Sequence, residues 1–328
     1  MEQGLYPLKF LPLFKNKIWG GNKIRDILNV DYSPLPNCGE LWTLSGLEGN
    51  ESVISNGYLD ECTLPEAIEM YADELVGQEN YDRFSEDFPL LLKIIDANDN
   101  LSVQVHPNDK FAQKEGMPNG KNEMWYVLQA DEEARIYDGF NRKITKTEVI
   151  NRLNDRTFME VLHEEKTNRG DVFFIPAGRI HAIGKGVLLA EIQQSSDLTY
   201  RIYDWDRSFQ NVASRPLNIE QALQVMDLSM LNGSAKTAFH YHLNETNNIL
   251  NTPFFTTNHI HLTQPLKKDY TDLDTFVLLF CIGGRAVIHS MGKKVSLQAA
   301  EVVMLPAVCT QTVIEPESMV EILEIFII

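Results

Sequence analysis

The sequence predicts a mainly β protein, built as two small β barrels with short helical insertions. Short apolar runs rich in β-branched and aromatic residues recur along the 328 residues, each bounded by Gly, Pro, Asn or Asp. Helical patterns are fewer and fall between groups of strands instead of after each one, which argues against a parallel βαβ sheet. One β tract also recurs. Gly170-Asp171-Val172-Phe173-Phe174-Ile175-Pro176-Ala177 matches Ala300-Glu301-Val302-Val303-Met304-Leu305-Pro306-Ala307: a small residue, an acid, four apolar residues, then Pro-Ala.

In chain order, Thr63-Leu64-Pro65-Glu66 reads as a capping box with an early Pro, opening a helix to about Val76. Strands follow at 90–95 and 124–128, then two short helices at 145–153 and 156–163. Strands at 172–175 and 187–192 precede a helix over 218–226. The runs at 275–280, 285–289, 302–305 and 320–327 are strands again, with Gly283-Gly284 read as a turn between two of them. Residues 226–252 are dense in Asn, Gly, Ser and Thr, which places a boundary there. The expected division is 1–235, the first barrel with its helical additions, and 236–328, a second barrel without metal ligands.

The hydrophobic fraction of 44% is ample for a core, and the length favours two domains or a repeated architecture. Lys and Arg number 29 against 46 Asp and Glu, a formal charge of −17. Such a surface field repels nucleic acid and anionic membranes, so an anionic small molecule needs locally concentrated cations. No apolar run approaches the ~20 residues of a membrane helix. The start, Met1-Glu2-Gln3-Gly4, has no signal-peptide pattern, and Cys38, Cys62, Cys281 and Cys309 are isolated, as thiols in a reducing compartment would be. These features predict a cytoplasmic protein. Neither a GxxxxGK[ST] loop nor a GxGxxG turn opening a helix occurs.

Two segments carry the chemistry. In Leu101-Ser102-Val103-Gln104-Val105-His106-Pro107, Gln104 and His106 sit two apart and so face one side of a strand. In Gly170 to His181 a second His follows a Pro-Ala-Gly turn, and Glu123 heads an apolar run between the two segments. Two imidazoles, a carboxylate and an amide oxygen make a borderline N/O donor set. Zinc is the first choice, with iron, cobalt, nickel and manganese as competitors.

The spacing Gly170, Pro176, Gly178, His181 resembles the second cupin motif, and Gln104-x-His106 stands where the first cupin motif has HxH. Cupins are small jelly-roll β barrels that hold a metal inside. The first segment with Lys121-Asn122-Glu123-Met124-Trp125, the run Gly178-Arg179-Ile180-His181-Ala182, and Glu191 to Arg201 with its acid and arginine ten apart are together similar to type I phosphomannose isomerases of the short bacterial form. Trp19-Gly20-Gly21 and Gly39-Glu40-Leu41-Trp42 also fit. The similarity covers most of residues 5–207 and, less specifically, the C-terminal barrel. Three departures stand out: a reduced helical insertion, the continuation Tyr200-Arg201-Ile202-Tyr203-Asp204-Trp205, and Asn122 where Pro is common.

The resemblance implies interconversion of mannose 6-phosphate and fructose 6-phosphate through a cis-enediol, with one Zn²⁺ per chain held by Gln104, His106, Glu123 and His181. It makes Glu191, Arg201 and Lys121 the catalytic candidates, and Ser102, Lys121, Arg201, Trp19, Glu40 and Asp197 the substrate-binding ones. Glu191 is either the proton-transfer group, its pKa expected to rise with burial, or a partner that orients a ligand or Arg201. Arg201 meets either the phosphate or the enediolate; in the second case Lys121 and Ser102 are left for the phosphate. Trp19 covers one side of the sugar or belongs to the core. Two other classes stay open: a cupin oxygenase, and a non-catalytic sugar-phosphate sensor.

Overall fold

A computed structural model describes residues 4–207, 215–229 and 235–328. The chain divides into two compact units, one of residues 14–41 and 93–237, the other of residues 1–13, 42–92 and 238–328. This differs from a single cut after residue 235, and part of the expected boundary, 230–234, lies outside the described residues. The reason for the difference is that N-terminal segments fold with the C-terminal strands. Leu8 pairs with Met304, and the Ala307 N–H donates to the Leu75 carbonyl at 3.0 Å.

The unit that contains 93–237 is built around two sheets. One runs in the order Tyr200–Tyr203, Val103–Val105, His181–Ile183, Arg135–Phe140, Leu162–Lys166. The other begins Lys236–Thr237, Val172–Ile175, Glu123–Ala130, Val187–Gln194, Leu90–Ala97 and continues through Glu40–Leu44 to Leu13–Lys15. In the first sheet Val103, Val105, Ile180, Ala182 and Ile202 join one buried cluster with Val149, Phe158 and Ala222 of the helical additions. Alternation then turns Gln104 and His181 to the opposite face, into the barrel. There Ile183, Trp125, Phe173, Ile175 and Leu189 form the interior core.

The helices expected from 63, 145 and 218 are present as Leu64–Val76, Lys146–Asn154 and Ile219–Val225. Thr63 and Glu66 make the reciprocal capping box. The stretch 156–163 is corrected: a single 3₁₀ turn, Phe158–Val161, runs into the strand Leu162–Lys166. Gly283-Gly284 is also corrected. It is no turn but an irregularity inside one long strand, Val277–Ser290, where the pairing register with Gln311–Phe326 shifts. Gly284 has φ +77°, and a Cβ there would meet the Met319 carbonyl oxygen at 2.0 Å, so a side chain is excluded.

The repeated tract has one geometry in both places. The Gly170 N–H donates to the Val127 carbonyl (2.8 Å) and the Val127 N–H to that of Asp171 (2.9 Å). The Ala300 N–H donates to Cys281 (2.9 Å) and the Cys281 N–H to Glu301 (3.0 Å). Gly170 and Ala300 share a positive φ, 86° and 71°. Register extends the match: Ile175 faces Glu123, and Leu305 faces Val277. Val277 therefore occupies, in the C-terminal strands, the place of the Glu123 carboxylate. Gln311, five residues after Pro306, takes that of His181, five after Pro176.

Candidate active site and metal centre

His106, Glu123 and His181 each offer a donor atom within 4.8 Å of the others, and all three are buried. Gln104 and His181 face each other across one sheet, whereas Glu123 comes from the other sheet. The carboxylate therefore crosses the barrel to reach the imidazoles. Backbone carbonyls orient both rings. His106 Nδ1 contacts the Leu198 carbonyl at 2.8 Å and His181 Nδ1 that of Arg179 at 2.9 Å. With Nδ1 donating, each Nε2 presents a lone pair. His106 Nε2 lies 3.5 Å from Glu123 Oε2, and His181 Nε2 lies 3.3 Å from Oε1.

Burial holds both rings neutral, His181 pushed down to about 3 and His106 well below its ordinary value. Burial likewise raises the Glu123 carboxyl, against the opposing pull of Lys121. His106 Nε2 and Glu123 Oε1 have no hydrogen-bond partner, and Glu123 Oε2 meets the Lys121 ammonium at 3.2 Å. Orphaned acceptors in a dry interior are costly, and a divalent cation among them satisfies all at once. The Gln104 amide nitrogen is 3.3 Å from His181 Nε2. Rotation about the last side-chain torsion exchanges its nitrogen and oxygen, which would offer Oε1 to the same centre. The donor set thus fits a metal.

A cavity of about 450 Å³ reaches this centre and includes Gln104 and Lys121 in its wall. Lys121 is buried, its Nζ 3.2 Å from Glu123 Oε2. Asn122 fixes the Lys121 loop: its side-chain oxygen accepts from the Ala177 N–H (2.9 Å), and its Nδ2 donates to Gln194 Oε1 (2.7 Å). Trp19, Glu40, Glu191, Asp197 and Arg201 line the same cavity. Trp19 is both wall and core, only 3% exposed and packed in the interior cluster. Glu40 pairs with Lys17 at 3.1 Å, and Asp197 is exposed. Ser102 is not among the lining residues. It is buried and donates to Gln104 Oε1 at 3.4 Å, behind the ligand rather than beside the substrate space.

Glu191 is buried, accepts from the Trp125 indole N–H at 3.0 Å and lies 3.2 Å from Lys93 Nζ. The expected upward shift of its pKa is corrected. Burial pushes it up, but Lys93 and then Lys121 outweigh that, and the carboxyl lies below its ordinary value. Lys93 was not singled out in the sequence, because it lies in the apolar run 90–95. Its neighbour across the barrel wall, Gln193 (Nζ to Oε1 2.8 Å), is 100 residues away. Arg215, which also lines the cavity, was missed for want of any motif around it.

Comparison with known proteins points to one family. Residues 8–144 match the family model "Phosphomannose isomerase type I, catalytic domain". The chain is 35% identical over 302 residues to a mannose-6-phosphate isomerase of Streptococcus mutans, covering 92% of each. It is 40% identical over 224 residues to mannose-6-phosphate isomerase ManA of Bacillus subtilis, covering 68% of each. The crystal structure of the mannose 6-phosphate isomerase from Bacillus subtilis superposes with a TM-score of 0.84 at 28% identity, over 97% of this chain and 99% of that one. The chain belongs to the type I phosphomannose isomerase family.

Proposed function

We propose that the protein interconverts mannose 6-phosphate and fructose 6-phosphate with zinc as its metal, bound by Gln104, His106, Glu123 and His181. The observation that carries this reading is the convergence of neutral His106 and His181 on the buried Glu123 carboxylate, whose Oε1 has no hydrogen-bond partner. That centre opens onto a cavity whose volume lies within the about 300–1,000 Å³ of small-molecule sites. Gln104, His106, Glu123 and His181 would hold the ion, which would supply Lewis acidity toward the sugar's carbonyl and offset negative charge on oxygen.

The chain's own groups handle the proton. Glu191, ionised beside Lys93, would take the C2 proton of the open-chain aldose and return it to C1 on the same face of the cis-enediol, while the hydroxyl proton passes from O2 to O1. The Trp125 N–H fixes one carboxylate oxygen and leaves the other toward Lys93 and the cavity. Lys121 brings positive charge beside Glu123, where oxygen charge develops. Glu40 and Asp197 offer acceptors to sugar hydroxyls from the wall, and Trp19 bounds one side. Ser102 acts through Gln104, whose side-chain amide it contacts.

The test is fructose 6-phosphate formation in a coupled assay, with metal quantified in parallel. Chelation should abolish turnover and zinc restore it. His181→Ala should lose the bound metal together with activity. Outer partners of a ligating histidine are typically worth about 10–100-fold in metal affinity, and losing the ring should cost at least that. Turnover that survives verified metal removal defeats the mechanism.

A further inference from the structure

The strand Leu162–Lys166 is the edge of its sheet and pairs with Arg135–Phe140. Leu162 turns to the outer cluster, and alternation sends His163 and Glu165 to the inner face. The partner strand is irregular at that level. Tyr137 faces Glu164 and Phe140 faces Leu162, so Asp138 and Gly139 together stand opposite His163. Such a bulge re-aims a side chain. Register with His181 puts Asp138 on the inner face too, where it is buried.

Asp138, His163 and Glu165 each offer a donor atom within 4.8 Å of the others. Asp138 Oδ1 lies 3.5 Å from His163 Nδ1, and neither atom has a hydrogen-bond partner. That spacing exceeds the about 2.7–3.2 Å of an N–H···O bond. It is close to the spacing of two donors on one ion: about 2.1 Å each from a tetrahedral centre, they stand about 3.4 Å apart. The second Asp138 oxygen is engaged elsewhere. Oδ2 accepts from the Ala235 N–H and lies 3.5 Å from Arg179 Nη2, which holds Oδ1 toward His163.

The local charge leaves room for a cation. Three carboxylates, Asp138, Glu165 and Asp171, meet two cations, Arg179 and Lys236. Lys236 Nζ sits 2.7 Å from Asp171 Oδ2 but 3.7 Å from Glu165 Oε1, so it is drawn aside from the cluster. Ala235 and Lys236 lead into Lys236–Thr237, the edge of the other sheet. The cluster therefore lies at the seam where the two sheet edges meet.

We propose that Asp138, His163 and Glu165 form a second divalent-cation site, which staples the edge strand Leu162–Lys166 at the barrel seam. One imidazole and two carboxylates suit Zn²⁺ or Mn²⁺, with water completing the shell. None of the three residues lines the substrate cavity, so the ion acts on stability, because a ligand bound to the folded chain alone adds to its stability. The site does not depend on the isomerase reading.

The test is metal stoichiometry and melting midpoint of the full-length protein, stripped by chelator and then titrated with Zn²⁺ or Mn²⁺ alone. Wild type should take up two ions per chain, and His163→Ala and His181→Ala one each. The second ion should raise the wild-type midpoint by a few degrees. His163→Ala should lose that rise and keep kcat/KM. Glu165→Gln keeps the shape, removes a charge and should weaken the second ion at least tenfold. A wild-type number of ions in His163→Ala overturns the proposal. So does a midpoint that falls equally with and without cation, the result a plain His163–Asp138 ion pair would give. If His163→Ala does not fold, unchanged ion affinity in Glu165→Gln overturns it equally. A single ion in wild type that survives His181→Ala but not His163→Ala keeps this site and removes the other.

Discussion

Two fully buried carboxylates stand in one barrel and are pushed in opposite directions. Glu123 is raised by burial, and Lys121 only partly opposes it. Glu191 is also desolvated but has Lys93 at 3.2 Å with Lys121 nearby, and it is lowered. The deciding magnitude is the near charge, since an opposite charge within about 4–6 Å moves a carboxyl by about 1–3 units. Lys93→Met removes that charge while keeping the stem. Burial then dominates, the Glu191 pKa rises, and the acid limb of kcat/KM against pH should move to higher pH by about one unit or more. An unmoved acid limb in a folded variant would take Glu191 out of the proton-transfer role. In the sequence, Glu191 is visible as an acid in an apolar strand, but its partner is not. Lys93 is one residue of Leu90–Ala97, and only the sheet, by placing Val187–Gln194 next to that strand, brings the two together.

Single elements were legible where local chemistry was complete. Thr63, Pro65 and Glu66 specify the start of Leu64–Val76 by side-chain bonds within one turn. The 156–163 stretch misled because Phe158, Val161 and Leu162 have helical spacing and are all buried. Their burial comes from one 3₁₀ turn followed by an edge strand that pairs with Arg135–Phe140. Gly283-Gly284 misled for the same kind of reason. Gly284 answers a close approach of Met319, 35 residues further on, that no local pattern announces. The loop that carries Lys121 offers a direct test of such tertiary demands. The Gly120 N–H donates to Asp109 Oδ1 at 2.8 Å and the Lys121 N–H to the Pro107 carbonyl at 2.9 Å. A Cβ on Gly120 would stand 2.4 Å from the Asn108 carbonyl carbon, against backbone that cannot give way cheaply. Gly120→Ala should therefore lower the thermal midpoint and weaken substrate turnover together by displacing Lys121, as read by scanning calorimetry and kcat/KM. Wild-type values for both would mean the loop has slack that the close contact denies.

At the scale of the molecule, the two-barrel pattern was readable from the repeated tract, but the way the chain is shared out was not. In the strand Val277–Ser290, Val277, Leu279 and Cys281 enter the core of the C-terminal barrel. Alternation sends Phe276, Leu278 and Phe280 to the other face, yet they too are fully buried. A sheet apolar on both faces needs cover on both. Part of that cover lies far away in sequence: Phe88 packs against Phe276, the rings tilted with centroids 4.9 Å apart, and the Asn80 side chain donates to Thr275 at 2.8 Å. Leu8–Lys9 pairs along the Val302–Leu305 edge, where Lys9 also meets Glu301 at 2.9 Å. A fragment of residues 236–328 would keep the inner core and lose all of these. It should expose a broad apolar face and a bare strand edge, the two features that drive self-association. Light scattering should find it oligomeric, without a sharp cooperative melt. A monomeric fragment with a single steep transition would show that the inner core alone suffices and that 42–92 merely decorates it.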